Sequence, residues 1–216
     1  MELSRHYIAG QELILHPYRA IYWVEERALL LADLHLGKAE HFRKEGLPVP
    51  GHVSNVNWDK LIGLLLEFKP ERVLFLGDLF HSDFNAQWED LRELVQQFHG
   101  VRFELVKGNH DILHGSFYDG ANITVHDEGK EEGPFLLTHH PMQAYTGPLY
   151  NLSGHLHPCV FMRGRGRQRL RLPCFYFGAH QGILPAFGAF TGMAPIQPRE
   201  GDGVFVITDE LVLPVH

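Results

Sequence analysis

Ala28-Leu29-Leu30-Leu31-Ala32-Asp33-Leu34-His35 decides how this chain folds. Five apolar residues in a row are too short for a helix and suit a strand buried on both faces. The Asp-Leu-His that follows ends the run with two metal-ligating side chains. The same pattern recurs four times. Residues 73–76 run into Gly77-Asp78, 103–106 into Gly108-Asn109-His110-Asp111, 135–137 into Thr138-His139-His140, and 150–152 into Gly154-His155-Leu156-His157. In layered α/β folds ligands collect at strand ends, so five such ends can converge on one site. The set holds carboxylates, imidazoles and an amide but no cysteine. That mix suits two hard-to-borderline divalent cations rather than a structural zinc, and predicts a two-metal hydrolase.

The chain around these runs predicts an α/β fold. Residues 12–15 and 20–24 read as a hairpin turning at Pro17-Tyr18. Val56, Leu61, Leu64, Leu65 and Phe68 recur at helical spacing within 53–68, before Pro70. Trp88, Leu91, Leu94, Val95 and Phe98 give a second amphipathic helix, stopped by Gly100. Strands at 72–76 and 101–106 complete a strand–helix–strand–helix–strand series, the signature of a parallel sheet covered by helices. Beyond about residue 122 short strands with Gly and Pro turns take over, giving a second, mostly β sheet. With 216 residues, 44% of them hydrophobic, and no linker, the expectation is one domain over 1–216.

Other classes are disfavoured. The first residues lack a signal-peptide layout, and no apolar stretch approaches the roughly 20 residues that span a bilayer, so a cytoplasmic protein without membrane contact is expected. Cys159 and Cys174 have no CxxC spacing and read as reduced, semi-buried thiols. A net charge of −7 argues against nucleic-acid binding driven by overall charge, although a metal pair would offset several carboxylates.

The ordered motifs DxH, GD, GNH(D/E), a histidine after a strand, and GHxH resemble the calcineurin-like metallophosphoesterase superfamily, over residues 33–157. The resemblance implies a four-layer αββα sandwich, two packed mixed sheets flanked by helices. It implies one metal held by Asp33, His35 and His157, a second by Asn109, His139 and His155, and an Asp78 carboxylate bridging both. A bridging ligand between two cations must carry negative charge, which a carboxylate does and a neutral imidazole does not. His139 and His140 are adjacent, so an extended strand end points only one at a given metal; the family register selects His139 and leaves His140 to support a ligand or touch substrate. By the same resemblance, hydroxide bridging the metals attacks phosphorus, and His110 protonates the departing oxygen or steadies charge on phosphorus. Manganese is the expected metal, with iron, zinc and nickel open to the same ligands. Taken singly, Asp33 and His35 read as ordinary loop residues and Asn109 as a turn cap.

Phosphoprotein phosphatases have GDxxDRG at the second motif; here His81 and Ser82 replace its Asp and Arg, which counts against that activity. Residues 32–50, residues 77–82 and the late segment 187–192 resemble a bacterial branch known as ligase-associated DNA damage response endonucleases; Lys38 and Arg43 read as contacts to substrate phosphate or as charges decorating a helix. That implies a DNA or nucleotide phosphodiester substrate, a role in DNA repair, and a DNA ligase or helicase as partner; a homodimer stays open. Arg163, Arg165, Arg167, Arg169 and Arg171 alternate, so a hairpin would place them on one face as a phosphate-attracting stripe or as a solvated edge. His81 and Asp111 are further candidates for support of the site. The rivals are a small-molecule phosphoesterase acting on cyclic nucleotides or nucleoside pyrophosphates, and a non-catalytic scaffold on the same fold.

Overall fold

The computed structural model describes residues 3–38, 53–80, 87–142, 145–163, 166, 169–189 and 191–215, with backbone only at 53–55. One sheet has seven strands in chain order: β1 (Ser4–Ile8), β2 (Gln11–His16), β3 (Ala20–Trp23), β4 (Ala28–Leu31), β5 (Arg72–Leu76), β6 (Arg102–Val106) and β7 (Ile123–His126). Strands β1 to β4 form an antiparallel meander, and β4 to β7 run parallel. Tight turns can join only antiparallel neighbours; parallel ones need a crossover. Helices α1 (Val53–Phe68), α2 (Gln87–Gln97) and the short α3 (Gly115–Gly120) lie in the connections between the parallel strands.

The second sheet comprises β8 (Lys130–Glu132), β9 (Phe135–Leu137), β10 (Tyr150–Ser153), β11 (Pro158–Arg163), β12 (Arg169–Phe177), β13 (Gln181–Ile183), β14 (Ala194–Pro195), β15 (Gly203–Ile207) and β16 (Val212–Pro214). Its order is β14-β11-β12-β13-β10-β9-β8, with β15 pairing β12 and β16. Up to Pro173, β12 pairs with β11; from Cys174 it pairs with β15. A proline, which cannot donate to a ladder, sits where the strand changes partners.

The period of two along each strand divides the core. Leu29, Leu31, Val73, Phe75, Phe103 and Leu105 pack under Leu61, Leu64 and Leu65 of α1 and Trp88, Leu91, Leu94 and Val95 of α2. Their neighbours Leu30, Leu74, Leu76 and Val106 face Phe135, Leu137, Leu152 and Phe175 of the other sheet. Truncating one of these fully buried leucines, Leu74→Ala for instance, costs about 2–5 kcal/mol. On the far side of the second sheet, Cys174, Val204 and Val206 pack with Val160, Met162 and Ile196. Both cysteines are buried and free, in line with the sequence. The α/β sandwich of two mixed sheets therefore forms as expected. Among the described residues its helices cover the first sheet, and the cluster around Cys174, Val204 and Val206 lies on the outer side of the second. Among the described residues no helix is long and apolar enough to cross a membrane.

This topology positions the site. In the parallel registers Leu31 pairs with Phe75 and Leu76 with Val106, so β4, β5 and β6 end side by side. Strands β9 and β10 are parallel as well, Leu137 opposite Leu152. All five motif loops leave from one edge of the sandwich.

Candidate metal centre

The loops after β4 and β5 run on together beyond the sheet, held by Asp33 N–H to Gly77 O (3.1 Å), His35 N–H to Asp78 O (2.9 Å) and Leu36 N–H to Leu79 O (2.8 Å). Gly154 N–H donates to His139 O (3.0 Å), tying the loops after β10 and β9. The motif glycines are needed for closeness. A Cβ on Gly77, where φ is +80°, would lie 2.1 Å from His139 Nδ1; one on Gly108 would lie 2.3 Å from Asp78 Oδ1. The backbone is strained here. Of the ten non-glycine residues with positive φ among the described residues, five are Asp33, His35, Asp78, His155 and His157. Each costs about 1–2 kcal/mol in the left-handed region, a burden that concentrates at functional sites.

Two ring orientations fix where lone pairs point. His139 Nδ1 lies 3.1 Å from the Leu76 carbonyl, and His157 Nδ1 lies 2.9 Å from the Gly192 carbonyl. A carbonyl only accepts, so each Nδ1 carries the proton and each Nε2 presents a lone pair inward. Around His139 Nε2 stand Asn109 Oδ1 at 3.1 Å, His155 Nδ1 at 3.1 Å and Asp78 Oδ1 at 3.5 Å. His157 Nε2 faces Asp33 Oδ1 at 3.4 Å, and both atoms are buried without a hydrogen-bond partner. His35 Nε2 stands 3.8 Å from Asp78 Oδ2. Donors about 2.1 Å from one cation stand roughly 3.0–3.4 Å apart, a range that the 3.1 and 3.4 Å spacings meet and the 3.5 and 3.8 Å spacings to Asp78 slightly exceed. The groups Asp33–His35–His157 and His139–His140–His155 each bring their ligand atoms within 4.8 Å, and Asp33–Asp78–His139 links them. The donor set therefore fits two divalent metals.

At His155 and His140 the surroundings favour the neutral imidazole, the metal-binding form. Burial, then the facing imidazoles, hold His155 below the usual histidine range; burial, then His139, does the same to His140. His140 is exposed and its ring centroid is 4.1 Å from that of His155. His110 donates its backbone N–H to Asp78 Oδ1 (3.0 Å), and its ring centroid is 5.6 Å from that of His35, at the edge of the cluster.

Asp111 plays a part the sequence left open. Its carboxylate accepts from the N–H groups of Leu79 (2.9 Å), Phe80 (3.2 Å) and Gly108 (2.9 Å), which clamps the Asp78 and Asn109 loops together. Burial, with Asp78 adding to it and the amides opposing, pushes its carboxyl up to about 6. The partly buried Lys38 amine is held low by burial, against the pull of Asp78 and Asp33. Arg163 is paired with Arg169 across the β11–β12 hairpin, on the face shared with Arg171 and Phe161, while Arg169 lies 5.0 Å over the Phe161 ring. His81, Arg43, Arg165 and Arg167 lie outside the described residues.

Several supports carried no residue-type signal. The Leu76 and Gly192 carbonyls orient ligands through backbone atoms alone. Gln87 accepts from Gly37 N–H (2.9 Å), bracing the first loop from α2. Fully buried Asn151 donates to Leu136 O (2.9 Å) and Thr138 Oγ1 (2.8 Å) and accepts from Met142 N–H (3.2 Å), holding the turn that carries His139 and His140. An amide within the apolar run at 150–152 was the available clue.

The family model for the calcineurin-like phosphoesterase matches residues 26–137. The crystal structure of Pseudomonas putida nuclease MPE is similar at a TM-score of 0.83 and 31% identity, over 99% of this chain and 100% of that one. Yfce, a phosphoesterase from E. coli, is similar at 14% identity and a TM-score of 0.49, over 87% of this chain and 97% of that one. No curated protein sequence matches the chain.

Proposed function

Since the chain belongs to the calcineurin-like phosphoesterase family, we propose that it is a two-metal phosphodiesterase cutting DNA or nucleotide phosphodiesters. The observation that carries this reading is the pair of donor groups joined through Asp33, Asp78 and His139. In the proposal Asp33, His35 and His157 hold one cation, Asn109, His139 and His155 the other, and Asp78 serves both. Bound there, the cations would acidify water and offset charge on the phosphoryl oxygens. The protein's own contribution is placement. Leu76 O and Gly192 O fix the imidazoles, and Asp111 fixes the loop bearing Asp78 and Asn109. His110, beside the cluster, is the group whose N–H would donate to the departing oxygen. His140 is exposed next to His155 and would meet substrate or join the second cation.

The preference for DNA rests on the likeness to a nuclease at 31% identity along nearly the whole chain. Manganese, a repair role, a cytoplasmic location and a ligase or helicase partner belong to the same proposal. The test is manganese-dependent nicking of circular single-stranded DNA, with Asn109→Ala as contamination control and a chromogenic diester alongside. Nicking by the wild type alone supports the reading. Hydrolysis of the small diester without nicking shifts it to a nucleotide-sized substrate, and failure on both refutes it.

A further inference from the structure

A second cavity opens on the same edge of the sandwich as the metal centre. The β2–β3 turn lies beyond the end of β4, because Ile21 pairs with Leu30. That turn supplies Pro17, Tyr18 and Arg19 to a cavity of about 340 Å³, closed by Lys60 of α1, Leu172 and Pro173 of β12, and residues 207–209. Arg19 is held there in the left-handed region, φ 63°, with its Nη1 donating to Ala186 O (3.1 Å). The next residue, Phe187, donates its N–H to Ala32 O (2.8 Å), directly before Asp33. The cavity and the metal centre are thus joined by two hydrogen bonds and two peptide links.

Its charge is unusual for an acidic protein. Lys60 Nζ sits 5.5 Å from the centroid of the Tyr18 ring, and the only carboxylate among the lining residues is Asp209. Burial, then the neighbouring Arg19 cation, pulls the Lys60 amine down; burial does the same to Arg19. Two cations crowded at one partly dehydrated place, with one carboxylate between them, gain from an anion that enters. Arg171 stands two residues before Pro173 on the same strand, so the two share a face of β12.

We propose that the Arg19–Lys60 cavity is a phosphate subsite, taking a backbone phosphate of a nucleic-acid strand that flanks the phosphodiester cut at the metal centre. The inference rests on the reading of the protein as a DNA phosphodiesterase. Phosphate contacts position a strand without reading its sequence, so the subsite selects for length of strand rather than for base.

The test is the KM for nicking of single-stranded DNA, measured with manganese across a salt series, for wild type, Lys60→Gln and Lys60→Arg. The expected result is a KM raised roughly five- to tenfold in Lys60→Gln with kcat nearly unchanged. The salt slope should fall by about 0.7, the loss of one single-strand phosphate contact, and Lys60→Arg should restore both. Nicking with the wild-type KM and slope in Lys60→Gln overturns the subsite and leaves the phosphodiesterase reading intact. No nicking by the wild type overturns the subsite together with the choice of DNA as substrate.

Discussion

Asp33 Oδ1 and His157 Nε2 face each other at 3.4 Å, buried, with no hydrogen-bond partner for either. The Gly192 carbonyl has already claimed the imidazole proton on the other ring nitrogen. Two buried lone pairs pointed at one another are unfavourable until a cation takes the space between them.

Metal should therefore stabilise the fold. Ligand at about 100 times its Kd adds roughly 2.7 kcal/mol, and in a protein of this size each kcal/mol moves Tm by about 2–4 °C. Thermal unfolding of metal-stripped protein is expected to shift upward by roughly 5–10 °C with excess manganese. Asp33→Ala should abolish most of that shift, and an equal shift in that variant would count against Asp33 as a ligand.

His110 and Asn109 separate catalysis from metal holding. His110→Ala should keep the manganese-induced Tm shift while turnover falls by about 10²–10⁴. Asn109→Ala should lose both the metal it shares with His139 and His155 and activity. Metal content by elemental analysis checks the pair; metal loss from His110→Ala would overturn its role.

Gly108 and Gly100 make a matched comparison. A methyl on Gly108 would lie 2.3 Å from Asp78 Oδ1 and 2.4 Å from Asp78 N, whereas one on Gly100 meets nothing within 4 Å. Gly108→Ala should cost several kcal/mol, on the order of 2–4, or displace Asp78 and abolish metal binding. Gly100→Ala should stay within about 1 kcal/mol of wild type. Similar unfolding curves for the two variants would show that the Gly108 approach is not tight.

Acid should weaken the far edge of the first sheet. Burial would raise the Glu104 carboxyl, but hydrogen bonds from Lys130 and His126 and the Lys130 and Arg72 charges outweigh it, leaving it below the ordinary carboxylate range; Glu132 is lowered likewise by Lys130 and Arg72. A depressed folded pKa gives stability that is complete above the unfolded value of about 4.3 and fades as pH falls through the lower folded value. Glu104→Gln should be less stable at neutral pH by about 1–3 kcal/mol. The gap to wild type should close below about pH 4. A constant gap down to acid would contradict this.

The sequence disclosed those parts that depend on side-chain type at a fixed spacing. Helix α1 carries helical spacing, the parallel strands β4, β5 and β6 are short apolar runs, and the five motif loops end such runs, so these were readable from local pattern. Strand β1 was not: it alternates partly buried with exposed residues in SRHYI and is half solvated. The six-residue α3 is too short to show a helical period; it begins at a cap in which His114 accepts from Ser116 N–H. Orienting contacts through Leu76 and Gly192 use carbonyls common to every residue. The contact of Arg19 with Ala186 joins a turn to a return segment 167 positions away in sequence.

The most direct test is anomalous diffraction at the manganese edge from crystals of the manganese-loaded protein. The account predicts two peaks, one among Asp33, His35 and His157 and one among Asn109, His139 and His155, both within reach of the Asp78 carboxylate. Peaks absent from this cluster, or a single peak with Asp78 on one metal only, would contradict it.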